Sequence, residues 1–182
     1  MWIKFDKKLF TICFLTALLG SIWGFNLNTD NPVDDKIHFL YNDSPDYCKV
    51  FFHILFRNLT VGFMLSLVGF FTGGFLTLLL FLYNGFMFGL TIKTFYNNCL
   101  YPSEVILKHV MPHAFTEILG FCLLGTLGLR GFMFYKALLC HSKINLDLIP
   151  KVEEAMLPVI LIFISAIIET FISTWFLFLA GT

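Results

Sequence analysis

Charge is scarce in this chain, and its scarcity excludes more than any other feature. Only 13% of the 182 residues are Asp, Glu, Lys or Arg, and twelve basic residues cancel twelve acidic ones. A surface for DNA or RNA needs an excess of Lys and Arg against the phosphates, so nucleic acid is excluded as a partner. Soluble domains carry about 25% charged and about 45–50% apolar residues. Here the apolar share is 58%, with 24 Phe and a mean hydropathy of +0.81. That surplus suits contact with lipid, not water.

Several chemical signatures are missing too. No two cysteines stand in CxxC spacing, and there is no His-Glu-x-x-His, Gly-x-Ser-x-Gly, P-loop or dinucleotide fingerprint. No cofactor and no resident metal are therefore expected, and an energy-driven role requires a separate ATPase. Repeats, low-complexity tracts and linkers are lacking, so residues 1–182 read as a single transmembrane helical domain.

What is present is a series of apolar runs. A spanning helix takes about 20 mostly apolar residues, at about 1.5 Å of rise each. Five stretches qualify: Leu9–Phe25, Pro45–Phe71, Phe75–Phe95, Pro112–Leu138 and Met156–Ala180. The expected fold is all-α, a polytopic membrane helical bundle of about five transmembrane helices. The first stretch follows a basic start resembling a signal peptide, but no small-x-small cleavage pattern comes after it, so it reads as a retained anchor. The run from Pro45 to Tyr96 is too long for one crossing, and Thr72-Gly73-Gly74 is where it should turn. Ser44-Pro45 reads as the N-cap and first turn of the second helix.

Lys4, Lys7 and Lys8 place the N-terminus in the cytoplasm, and Lys136, Lys143 and Lys151 place the fourth connection there as well. The acidic segment 26–47 then lies outside. The expected location is the bacterial cell (inner) membrane. Cys48 and Cys99 fall at the same outer surface, where either a disulfide or two free thiols fit.

An ionisable group at mid-bilayer costs roughly 2.5–3.5 kcal/mol, so each needs a partner or a purpose. Four of those within the spans stand out, Arg57, His113, Glu117 and Glu169, joined by the amides Asn58 and Asn84. By helical rise, Arg57 and Glu117 lie level at roughly 10 Å below the outer ends of their helices, with Asn84 and Glu169 roughly 16–18 Å deep. These six residues are the expected binding set, a shared interior cluster open toward the outer face. His113 and Glu117 are four apart and share a helix face, as do His53 and Arg57. Gly69-x-x-x-Gly73 and Gly85-x-x-x-Gly89 offer small faces for close helix approach.

Plainer readings stand beside these. An Arg57–Glu117 pair can simply fix which helices pack together. His113 can hydrogen-bond to a neighbouring helix, and a neutral Glu169 can bond Thr170 or Asn84. Arg130 is expected to snorkel toward the cytoplasm near Lys136. As chemistry, His113 and Glu117 are the catalytic candidates, Glu117 acting as a general base on water. They could also ligate a metal with His109, His53 or Glu169, although the spacing carries no metalloprotease signature.

Asn84-Gly85, followed by Pro112-His113-Ala114-Phe115-Thr116-Glu117, resembles the stage II sporulation protein M family, with its Asn-Gly and its Pro-His-Gly-x-x-Glu box. The resemblance covers a core of about 50–139. It departs at Ala114, where the family usually has Gly, and at Arg57-Asn58, where many members have Asn-Asn. It implies a multi-pass protein working in complexes. Sporulation members anchor peptidoglycan-remodelling enzymes, and short stand-alone relatives accompany the maturation, export or immunity of circular bacteriocins.

The first reading is therefore a non-enzymatic scaffold or export and maturation subunit of an envelope complex. Its expected partners are membrane lipids and other membrane proteins or a separate ATPase, with a homo-oligomer as an option. The rivals are an intramembrane hydrolase or peptidase using Glu117 and His113, and a small solute permease.

Overall fold

The computed structural model describes residues 6–27, 46–98, 102–140 and 146–173. The acidic segment from 28 to 45, Cys99, Lys143 and the fifth stretch beyond Ser173 lie outside the described residues, as does the side chain of His109. All regular structure among the described residues is helical, and five helices are long and apolar enough to cross a membrane. They are α1 (Lys7–Asn26), α2 (Tyr47–Phe71), α3 (Phe75–Asn98), α4 (Met111–Leu139) and α5 (Val152–Ile168).

The starts of the helices reflect local chemistry. Asp6 caps α1, its carboxylate accepting from the amides of Lys8 and Leu9 at 3.0 and 3.3 Å. Asp46 caps α2 in the same way, accepting from Lys49 N–H at 3.3 Å. The helix thus begins just past Ser44-Pro45, which themselves lie outside the described residues. A capping aspartate is as competent as serine, and it stands closer to the apolar run.

Three π-helical turns interrupt the spans: Met64–Val68 inside α2, Ile106–Val110 ahead of α4, and Glu169–Ser173 continuing α5. Pro112 explains the second. Lacking an N–H, it leaves a carbonyl of the preceding turn without its i+4 donor, and a widened turn accommodates the gap. The fourth span therefore starts at Met111, beside Pro112 as expected, and a helical lead-in precedes it. Helical structure already begins at Pro102 and runs through the π turn into α4.

The reversal between α2 and α3 falls at Thr72-Gly73-Gly74. Gly73 and Gly74 adopt φ of 64° and 84°, a left-handed conformation that side-chain-bearing residues avoid. Beyond the turn, Thr77 donates its hydroxyl back to the carbonyl of Leu65 at 2.9 Å, locking the two helices antiparallel. Gly73 therefore shapes the turn and does not form a helix-packing face with Gly69.

Gly85 and Gly89, in contrast, do bring helices together. A Cβ on Gly85 would stand 2.1 Å from the carbonyl oxygen of Ala17, and one on Gly24 would stand 2.1 Å from that of Phe86. Both numbers rise together along α1 and α3, so the two helices run parallel with backbones in contact. Lys93 of α3 donates to the terminal carbonyl of Leu27, closing the end of α1.

α4 is the central helix, with 61% of its most apolar stretch buried against 17–33% for the other four spans. Around it Cys13, Leu65, Phe81, Cys122 and Ile162 form the core, all at most 3% exposed. The outward faces carry the surplus aromatics: Phe56 is 76% exposed and Phe71 69%, a surface suited to hydrocarbon.

Candidate functional site

The alternation of direction puts the end of α1, the start of α2, the end of α3, the start of α4 and the end of α5 at one end of the bundle. Between them lies a partly open cavity of about 430 Å³. Arg57 and Asn58 from α2, Asn84 from α3, His113 and Glu117 from α4, and Glu169 at the end of α5 all line it. Ala17 and Ser21 bring α1 into the wall, so every span contributes. The remaining lining is largely apolar, with Phe81, Phe88 and Phe121 prominent.

Each polar group is placed by its helix. Asn84 donates its amide to the carbonyl of Leu80 at 2.8 Å, a bond within α3 that fixes the side chain. The carbonyl of His113 accepts from the hydroxyls of Thr116 at 2.9 Å and Ser165 at 3.0 Å. The second bond crosses from α5 and sets α4 and α5 in register beside the cavity. The π turns at Ile106–Val110 and Glu169–Ser173 pack against each other, and each supplies a lining residue, Val110 and Glu169. π turns cluster at functional sites because the extra residue in the turn re-aims the side chains beyond it.

The electrostatics are open-ended. Arg57 interacts with both Glu117 and Glu169, and the two carboxylates with each other. Yet among the described residues none of the three belongs to an ion pair within 4.0 Å. The level Arg57–Glu117 pair suggested by helical rise is thus a pair facing across a space, not a closed bridge. Asn58 is 7% exposed, and its side-chain Nδ2 has no hydrogen-bond partner among the described residues. Buried donors are ordinarily satisfied, so an open one on a cavity wall marks a place where something else can bind.

Other residues resolve differently. His53 is exposed and does not line the cavity. No group of three or more His, Cys, Asp or Glu among the described residues is arranged to hold a metal ion. Cys48 carries a free, exposed thiol.

Arg130 corrects an expectation. It does not snorkel but is 8% exposed, with one guanidinium nitrogen 2.7 and 2.8 Å from the two carboxylate oxygens of Glu154. Helix α5 starts at Val152, a turn ahead of the apolar run from Met156, and this brings Glu154 within reach. Glu154 also accepts from the amide of Lys151 at 3.2 Å, capping the helix. Sequence reasoning also missed Ser165, which nothing in its local pattern distinguishes from an ordinary apolar-helix serine.

Five membrane-length helices around a polar interior cavity define a multi-pass integral membrane protein. Among known families, the one described as Stage II sporulation protein M matches residues 10–174, nearly the whole chain, and the chain belongs to it. The match extends well past the 50–139 core on which the resemblance rests. Neither the curated proteins nor the solved structures contain a match.

Proposed function

We propose that the chain is a non-enzymatic subunit of an envelope complex in the bacterial cell membrane, a scaffold or an export and maturation component, and that its polar cavity receives a group from outside. The N-terminus lies in the cytoplasm on the Lys4, Lys7, Lys8, Lys136, Lys143 and Lys151 bias, which turns the cavity mouth outward. One observation carries the reading: six polar side chains spread over four spans line one space, and among the described residues Arg57, Glu117 and Glu169 form no ion pair with one another. That arrangement holds a guest and couples all four helices to its presence.

The rival reading is hydrolysis, with Glu117 as general base and His113 four residues before it on the same helix face.

The test is Glu117→Gln in the native host, with complex size tracked by native electrophoresis and function by complementation. The subunit reading expects complex and function to be lost together. An intact complex with function abolished would overturn it in favour of hydrolysis.

A further inference from the structure

The cavity walls differ in what they leave unfilled. On α2, among the described residues, the guanidinium of Arg57 has no ion-pair partner within 4.0 Å and Asn58 Nδ2 has no acceptor, so this wall offers donors. On α4 and α5, Glu117 and Glu169 accept no hydrogen bond from a described residue, so that wall offers acceptors. Asn84 has committed one amide N–H to the carbonyl of Leu80, and its side-chain oxygen accepts no hydrogen bond from a described residue. Two carboxylates face one guanidinium, so acceptor capacity is in surplus.

A guest that satisfies both walls needs an anionic or carbonyl oxygen toward α2 and an N–H-bearing cation toward α4 and α5. A simple anion would leave the carboxylates unmet, and a simple cation would leave Arg57 and the buried Asn58 unmet. Asn58 is buried while Arg57, Glu117 and Glu169 open onto the cavity, so the guest that meets both walls at once is a zwitterion with its two charges a few ångströms apart. The apolar remainder of the lining, Ile54, Val61 and Phe88 among it, suits a hydrocarbon-bearing attachment. The cavity also belongs to a bundle whose exterior faces lipid.

We infer that this cavity binds the headgroup of an aminoalkyl phosphodiester lipid, its phosphate on Arg57 and Asn58 and its primary ammonium between Glu117 and Glu169. The inference rests on the cavity being a receiving site and names what it receives. It does not depend on any partner protein.

The experiment uses the full chain, purified in detergent and titrated with single lipids under native mass spectrometry. Dioleoyl phosphatidylethanolamine is expected to bind at least about tenfold tighter than the phosphatidylcholine of the same chains, whose quaternary ammonium has no N–H to donate. Phosphatidylglycerol, without a cation, should be weaker by a similar factor. Equal retention of all three lipids would overturn the inference, and needs no variant. Glu117→Gln with Glu169→Gln should erase the preference for ethanolamine over choline, and a preference that survives in the double variant would place headgroup recognition elsewhere. Soluble O-phosphoethanolamine competing at concentrations comparable to the lipid would overturn the lipid as the source. Because no complex is assayed, a failed headgroup preference leaves the subunit reading untouched. Conversely, a preference that holds while Glu117→Gln preserves the complex would count against the subunit reading alone.

Discussion

Two arginines lie within the spans, and the bundle treats them in opposite ways. Arg130, toward the end where α2 turns into α3, is 8% exposed and sits 2.7 Å from Glu154. Arg57, at the other end, is exposed to a cavity and has two carboxylates in view but in no ion pair with it. The first is a finished contact between α4 and α5. The second is an unfinished one, and a charge kept unfinished inside a membrane protein costs stability unless a guest completes it. On the function proposed above, the difference separates structural polarity from receptive polarity.

The sharpest way to break the comparison is at the finished end. Arg130→Met leaves Glu154 without its guanidinium in a largely buried setting and should destabilise the protein by about 3–5 kcal/mol. Denaturant unfolding of the purified chain, or its yield from membranes, reads the loss. The double variant Arg130→Met with Glu154→Met should recover most of it, because the orphaned charge is gone. A double variant as unstable as the single one would mean that the pair contributes more than mutual neutralisation.

At the receptive end the sign reverses. Asn58→Leu removes an amide whose Nδ2 has no partner, and should raise stability by about 1 kcal/mol while impairing whatever the cavity receives. A thermal melt paired with complementation checks both halves. The smallest effect is expected from Arg57→Gln, within about 0.5 kcal/mol of the parent, because relief of the unpaired charge offsets the lost attraction to Glu117 and Glu169. A large loss of stability there would erase the contrast with Arg130.

The fold was largely legible in the sequence, because five apolar runs of the right length leave little choice once lipid is the solvent. The Gly73-Gly74 turn was legible for the same kind of reason: only glycine takes those φ values cheaply. The six cavity residues were found by cost alone, since polar groups at bilayer depth stand out against Phe and Leu. Arg130 misled because hydropathy marks where a helix becomes apolar, not where it begins, and α5 begins a turn early. The π turns were illegible, because a widened turn is decided by packing around Pro112 and between neighbouring helices and leaves no compositional trace. Nor did the sequence show Gly24 seated against Phe86, for helix partnership depends on which faces meet.

The parallel contact of α1 with α3 reaches beyond packing. Ala17 and Ser21 are part of the cavity wall, so the first span is a side panel of the chamber and not merely its tether to the bilayer. Were that panel detached, the chamber would become a furrow open sideways to acyl chains, and its fixed charges would meet oil in place of a guest. Retaining the first helix is therefore as much a condition for the site as any residue that lines it.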